Sequence, residues 1–156
     1  MGKTTTFSVD DQGFWLLDDA FEVWLCYLVD AAERIEADPW AAELAEGWRS
    51  LRHCPHLGDF YRDLTDPQRR LLIAVCADAR RHAVEGGDVP RDFTRTGKDH
   101  VEAVRVLEVA DGCLELLSGT FPPDPPGGAW FLGTGGGWAV MPVSTSALAR
   151  PRFADF

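Results

Sequence analysis

The sequence predicts a helix-dominated α+β fold: about four helices packed with a small antiparallel sheet formed by N- and C-terminal hairpins. Three observations carry this expectation. A long apolar run in a helical frame lies between Asp19 and Glu36. Three further stretches with helical apolar spacing are opened by cap chemistry or closed by glycine. The two ends of the chain carry short, aromatic-rich segments, each broken by turn residues. At 156 residues, 46% hydrophobic and 26% charged, the chain is long enough to bury one sizeable core. A single domain over 1–156 is expected.

Thr4–Val9 reads as a strand, Asp10-Asp11-Gln12-Gly13 as a turn and Phe14–Leu17 as the returning strand. Asp18 or Asp19 is then expected to cap the central helix. Within that helix Asp19, Glu22, Asp30 and Glu33 draw one narrow polar stripe, interrupted only by Cys26. Phe21, Trp24, Leu25, Leu28, Ala32 and Ile35 lie away from the stripe. A helix apolar around most of its circumference is covered on most sides, so the core is expected to form around it.

Asp38-Pro39 places a cap and a first-turn proline before Trp40, Leu44, Trp48 and Leu51, the apolar stripe of a second helix. Arg52–Leu64 reads as a loop with one helical turn near Phe60-Tyr61. Asp66-Pro67 repeats the cap signal, and the third helix presents Leu72, Val75, Cys76, Ala79 and Ala83 before stopping at Gly86-Gly87. Thr96-Gly97-Lys98-Asp99 resembles a capping box opening a fourth helix to about Ser118, with Val101, Val104, Leu107, Leu114 and Leu117 inward. Phe121–Gly128 holds four prolines, which remove backbone donors, and is expected to be a stiff crossover. Ala129–Leu132 and Trp138–Met141 flank Gly133-Thr134-Gly135-Gly136-Gly137 as a second hairpin with a flexible turn. Pro142 places its last strand at an edge. Ser144–Phe156 carries no periodic signal.

The net charge of −10 argues against nucleic-acid binding, which needs a basic face, and favours a basic protein partner. No stretch has the length and apolarity of a membrane span, and no signal peptide opens the chain, so a cytoplasmic protein is expected. Cys26, Cys54, Cys76 and Cys113 contain no CxxC pair and are expected to stay reduced.

Two site hypotheses follow. In the first, Trp15, Trp130, Phe131 and Trp138 on the strands form a binding surface, with Asp10, Asp11 and Asp18 supplying negative charge. That describes a non-enzymatic binding protein docking a basic partner, as small acidic inhibitors of the immunity or antitoxin type do. In the second, His53, Cys54, His56, Asp59 and Tyr61 gather thiol, imidazole, carboxylate and phenol in one loop. They would serve a small-molecule or hydrolytic site beside an aromatic pocket. The cluster lacks the second ligand pair of a zinc site, so neither metal nor cofactor is expected. The glycine run lacks the following helix of a phosphate loop. A third reading is a homodimer joined through the aromatic surface.

Overall fold

A computed structural model describes residues 4–90 and 100–142. Strand β1 (Thr4–Val9) and strand β2 (Gln12–Leu17) form the first hairpin, with Phe7 opposite Phe14. Asp10 turns the chain at φ 54°, a left-handed conformation that Asp tolerates better than most side chains. β2 runs without a loop into helix α1 (Asp18–Glu33). Leu17 holds the cap position and makes no side-chain cap bond. Neither Asp18 nor Asp19 is therefore the cap; both lie in the first turn, where the helix dipole favours acidic groups.

Helix α2 (Pro39–His53) starts as its sequence implies, the Asp38 carboxylate accepting from the Trp40 and Ala41 amides. A short 3-10 turn at Pro55–Leu57 leads to strand β3 (Asp59–Tyr61), where a helical turn was expected. Helix α3 (Asp66–Gly86) is capped by Thr65, not Asp66. The Thr65 hydroxyl accepts from the Gln68 amide while the Gln68 side chain accepts from the Thr65 amide. Its buried face is the expected Leu72, Val75, Cys76, Ala79 and Ala83.

Strands β4 (Val89–Pro90) and β5 (His100–Val101) pair as a small ribbon before helix α4 (Ala103–Ser118). The expected fourth helix thus begins later. Val101 is buried on a strand, and the inward face of α4 is rotated. Val106, Val109, Ala110, Cys113, Leu116 and Leu117 face the core, while Val104 is 47% exposed. Thr96–Asp99 and Ser144–Phe156 lie outside the described residues. Strand β6 (Gly128–Leu132) and strand β7 (Ala139–Pro142) form the second hairpin.

The two hairpins meet in one five-stranded sheet, ordered β3-β1-β2-β6-β7. It is mixed rather than antiparallel, because β6 runs parallel to β2, with Trp15 beside Phe131, and β3 runs parallel to β1. Apolar alternation within a hairpin fixes which face is inward but not the direction of the neighbouring hairpin. That direction is set by the chain between them, which is long enough for a parallel crossover.

α1 touches α2, α3 and α4 and is the central helix. Phe21, Trp24, Leu25 and Leu28 are fully buried on it. Its polar stripe divides: Asp30 and Glu33 are exposed, whereas Asp19 and Glu22 are fully buried. Cys26 is also buried there, its thiol donating to the Glu22 carbonyl. Among the described residues no helix is long and apolar enough to cross a membrane.

Candidate functional site

Alternation along the strands separates the aromatic residues onto two faces of the sheet. Phe14, Leu16 and Leu132 face the helices and are fully buried. Trp15 and Phe131 are their chain neighbours, so they point the other way, side by side in register and partly exposed. On the same outer face, toward β3, Thr6 and Ser8 are buried, and Gly58 packs against Thr6 with no room for a side chain. Trp15 and Phe131, on the β2–β6 side of this face, are thus less covered than Thr6 and Ser8.

Trp130 and Trp138 do not join Trp15 and Phe131. They lie on the helix side of the sheet, their rings 5.2 Å apart and T-shaped, with Trp138 5.0 Å from Phe121. Phe121 continues the series to Phe14 at 5.9 Å, and Phe14 to Phe7 at 5.9 Å. Trp130 Nε1 donates to the Pro123 carbonyl at 3.0 Å, fixing the proline-rich crossover against the sheet. These two indoles hold the crossover in place; Trp15 and Phe131 remain as the surface pair.

The three carboxylates of the first hypothesis also divide. Asp10 accepts from the Asp63 amide and pairs with Arg69 at 3.4 Å, and its own amide donates to the Tyr61 carbonyl. It secures β3 beside the hairpin turn. Asp11 is exposed and lies close to Asp124, whose carboxyl is pushed up by burial and by the Asp11 charge. Asp18 is only 7% exposed and belongs to the interior.

Its neighbour Asp19 anchors a chain of charges that no local pattern announces. Arg105 on α4 donates from both Nη atoms to the two Asp19 oxygens, at 2.5 and 3.2 Å, with Asp19 fully buried and Arg105 8% exposed. Arg105 Nε donates to the Gly133 carbonyl at 2.8 Å. One turn along α4, Glu108 receives the loop itself. Its carboxylate accepts from the amides of Gly133 at 3.0 Å, Gly135 at 3.3 Å and Gly137 at 3.0 Å. Those three glycines sit at φ 83°, 87° and 85°, and this left-handed alternation turns successive amides toward one point. The loop is an anion nest filled by the protein's own carboxylate, which corrects the expectation of a flexible turn.

The loop of the second hypothesis splits in two. His53 and His56 are exposed and Cys54 is partly buried. Asp59 and Tyr61 turn inward onto Trp48 of α2. Asp59 Oδ2 accepts from Trp48 Nε1 at 2.9 Å and from the Tyr61 hydroxyl at 2.7 Å. Burial pushes the Asp59 carboxyl up to about 6, against the lowering effect of those two donors. Burial beside the Asp59 charge also holds the Tyr61 hydroxyl well above its usual range. This knot ties β3 to α2. Among the described residues no group of His, Cys, Asp and Glu is arranged to hold a metal ion.

All four cysteines are free. Burial pushes the Cys26 thiol up to about 12 and also raises Cys76 and Cys113, so none of these three is an activated nucleophile.

Asp19, Arg105, Glu108 and Trp48 organise these regions and are absent from the sequence-level site assignments. An arginine within an apolar helical stripe was the one visible signal; its partner lies 86 residues away. No family model, curated protein or solved structure matches the chain.

Proposed function

We propose that the chain is a non-enzymatic acidic binding protein. It docks a basic protein partner through the outer sheet face centred on Trp15 and Phe131, in the role of an immunity- or antitoxin-type inhibitor. The observation that carries this reading is the pairing of Trp15 with Phe131 on the face turned away from the helices. Two adjacent, partly exposed aromatic rings offer the kind of anchor that dominates binding energy in protein interfaces. The net charge of −10 supplies long-range attraction for a cationic surface. A cytoplasmic location is part of the proposal, since four free cysteines suit a reducing compartment.

Affinity capture on the immobilised full chain tests it. A cationic protein should be retained at about 50 mM salt and released at about 0.5 M, as exposed charge pairs are screened. The double variant Trp15→Ser, Phe131→Ser should lose that protein while still melting cooperatively. Recovery of no protein at low salt, or equal capture by the double variant, contradicts the reading.

A further inference from the structure

We propose that the partner's contact includes an extended basic strand, added to the open edge of β7. This rests on the preceding reading and names the mode of docking. β7 is the last strand of the sheet among the described residues, and Val140 on it is 49% exposed. Soluble proteins protect such edges with charged side chains, because an unpaired row of N–H and C=O groups templates another strand. Among the described residues β7 carries no charged side chain, and Pro142 blocks pairing only at its far end. No charged residue occurs between Asp124 and Arg150, in a chain that is 26% charged.

The backbone at the edge is oriented for pairing. Gly128 and Pro142 are opposite each other, yet Pro142 has no N–H and the Gly128 amide donates to the Pro125 carbonyl. That pair therefore exchanges no hydrogen bonds. By the alternation of an antiparallel ladder, Trp130 and Val140 exchange none either. The Val140 N–H and C=O accordingly point away from β6, toward the open edge.

Rigidity and charge complete the site. Glu108 clamps the loop that leads into β7, so the edge is presented preorganised. Negative charge lies toward both ends of the C-terminal hairpin. Glu102 lies beside Gly135 at one end, its Oε2 3.6 Å from where a Cβ would sit. Asp11 and Asp124 lie together toward the Gly128 end, since β6 starts there alongside the start of β2. An apolar strand with a cation at each end fits this edge by main-chain pairing and by charge.

The test follows the Val140 amide by hydrogen exchange in the full chain, with a defined peptide, acetyl-Lys-Val-Thr-Val-Thr-Val-Lys-amide, as probe. In the free protein the amide should exchange fast. The lysine peptide at millimolar concentration should slow it at least about tenfold, and added salt should reverse the effect. A peptide with Glu in place of both Lys, and one with alternate N-methylated amides, should leave it unchanged. Slow exchange in the free chain overturns the proposal, because the edge is then already paired by another segment or a second copy. So does equal protection by the glutamate peptide, or no protection by the lysine peptide. If the Trp15→Ser, Phe131→Ser variant loses a basic partner while the peptide leaves Val140 unprotected, the docking face stands and the strand addition fails.

Discussion

The two hairpins of this molecule are made by different means. The N-terminal one, β1–β2, is closed by two residues, Asp10 and Asp11, and Thr5–Val9 are buried throughout. Its neighbours on both sides are strands, β3 and β6. The C-terminal one, β6–β7, is closed by six residues, Gly133 to Trp138, of which four are glycine, and its last strand is largely exposed. Such a glycine-rich loop left to itself would close poorly, because glycine loses the most conformational freedom on ordering. The structure compensates from a distance: Glu108 accepts from three loop amides, and Arg105 joins the loop carbonyl to Asp19. Local turn chemistry holds the first hairpin, and a helical carboxylate 25 to 29 residues upstream of the amides it binds holds the second. The difference allows the first to be core and the second to be a stiff, exposed ribbon.

The largest effect that could break this comparison is removal of the second hairpin. Truncation after Thr120 takes away Phe121, Leu132 and the parallel partner of β2, and the remaining chain should fail to fold. A truncated protein that melts cooperatively at the full-length temperature would show that the C-terminal hairpin is an appendage. Next in size is the tie between α4 and α1. Arg105→Ala leaves Asp19 buried without its cation, which costs about 3–5 kcal/mol for a buried pair. Chemical denaturation measures it, and a loss under about 1 kcal/mol would mean water replaces the guanidinium.

Glu108→Gln separates the two hairpins more selectively. The amide has one acceptor oxygen, so the loop loses charge-assisted bonds and the variant should be about 1–3 kcal/mol less stable. β1–β2 should remain protected from exchange while the glycine loop opens. Equal loss of protection in both hairpins would put the clamp in the global core instead.

The smallest effect comes from the opposite edge of the sheet. The Asp59 carboxyl is raised to about 6 in the fold from 3.8, so its proton is bound more tightly folded than unfolded. Its contribution to stability is complete below about pH 4, falls as pH rises toward about 6, and is constant above. The span amounts to about 1–3 kcal/mol. Asp59→Asn should remove this component, leaving wild type and variant converging at acid pH and the variant the more stable at pH 7. A difference that does not change between pH 4 and 7 would show that the carboxyl titrates normally.

Much of the fold is legible because it depends on local periodicity. The α3 face from Leu72 to Ala83 and the burial of Trp24 follow from spacing alone. So does the Asp38 cap. What is not legible depends on partners far apart in sequence. Asp19 reads as a solvent-facing member of a polar stripe until Arg105 is placed against it. The α4 face reads from Val101 because the β4–β5 ribbon that shifts the helix start is too short to mark its sequence. Parallel pairing of β2 with β6 leaves no trace in either hairpin. The site residues divided for the same reason: alternation assigns Trp15 and Phe131 to one face and Trp130 to the other only once the inter-hairpin register is known. The glycine run misleads most, since its composition is that of a flexible turn and its order comes from Glu108.

Amide hydrogen exchange of the wild-type chain reads directly whether the C-terminal hairpin is held rigid from α4. Slow exchange is expected at Gly133, Gly135 and Gly137, comparable with Phe14 and Leu16, and fast exchange at Val140 in the same molecule. Fast exchange at all three glycines, with the β1–β2 amides still slow, would contradict it and return the loop to a flexible turn.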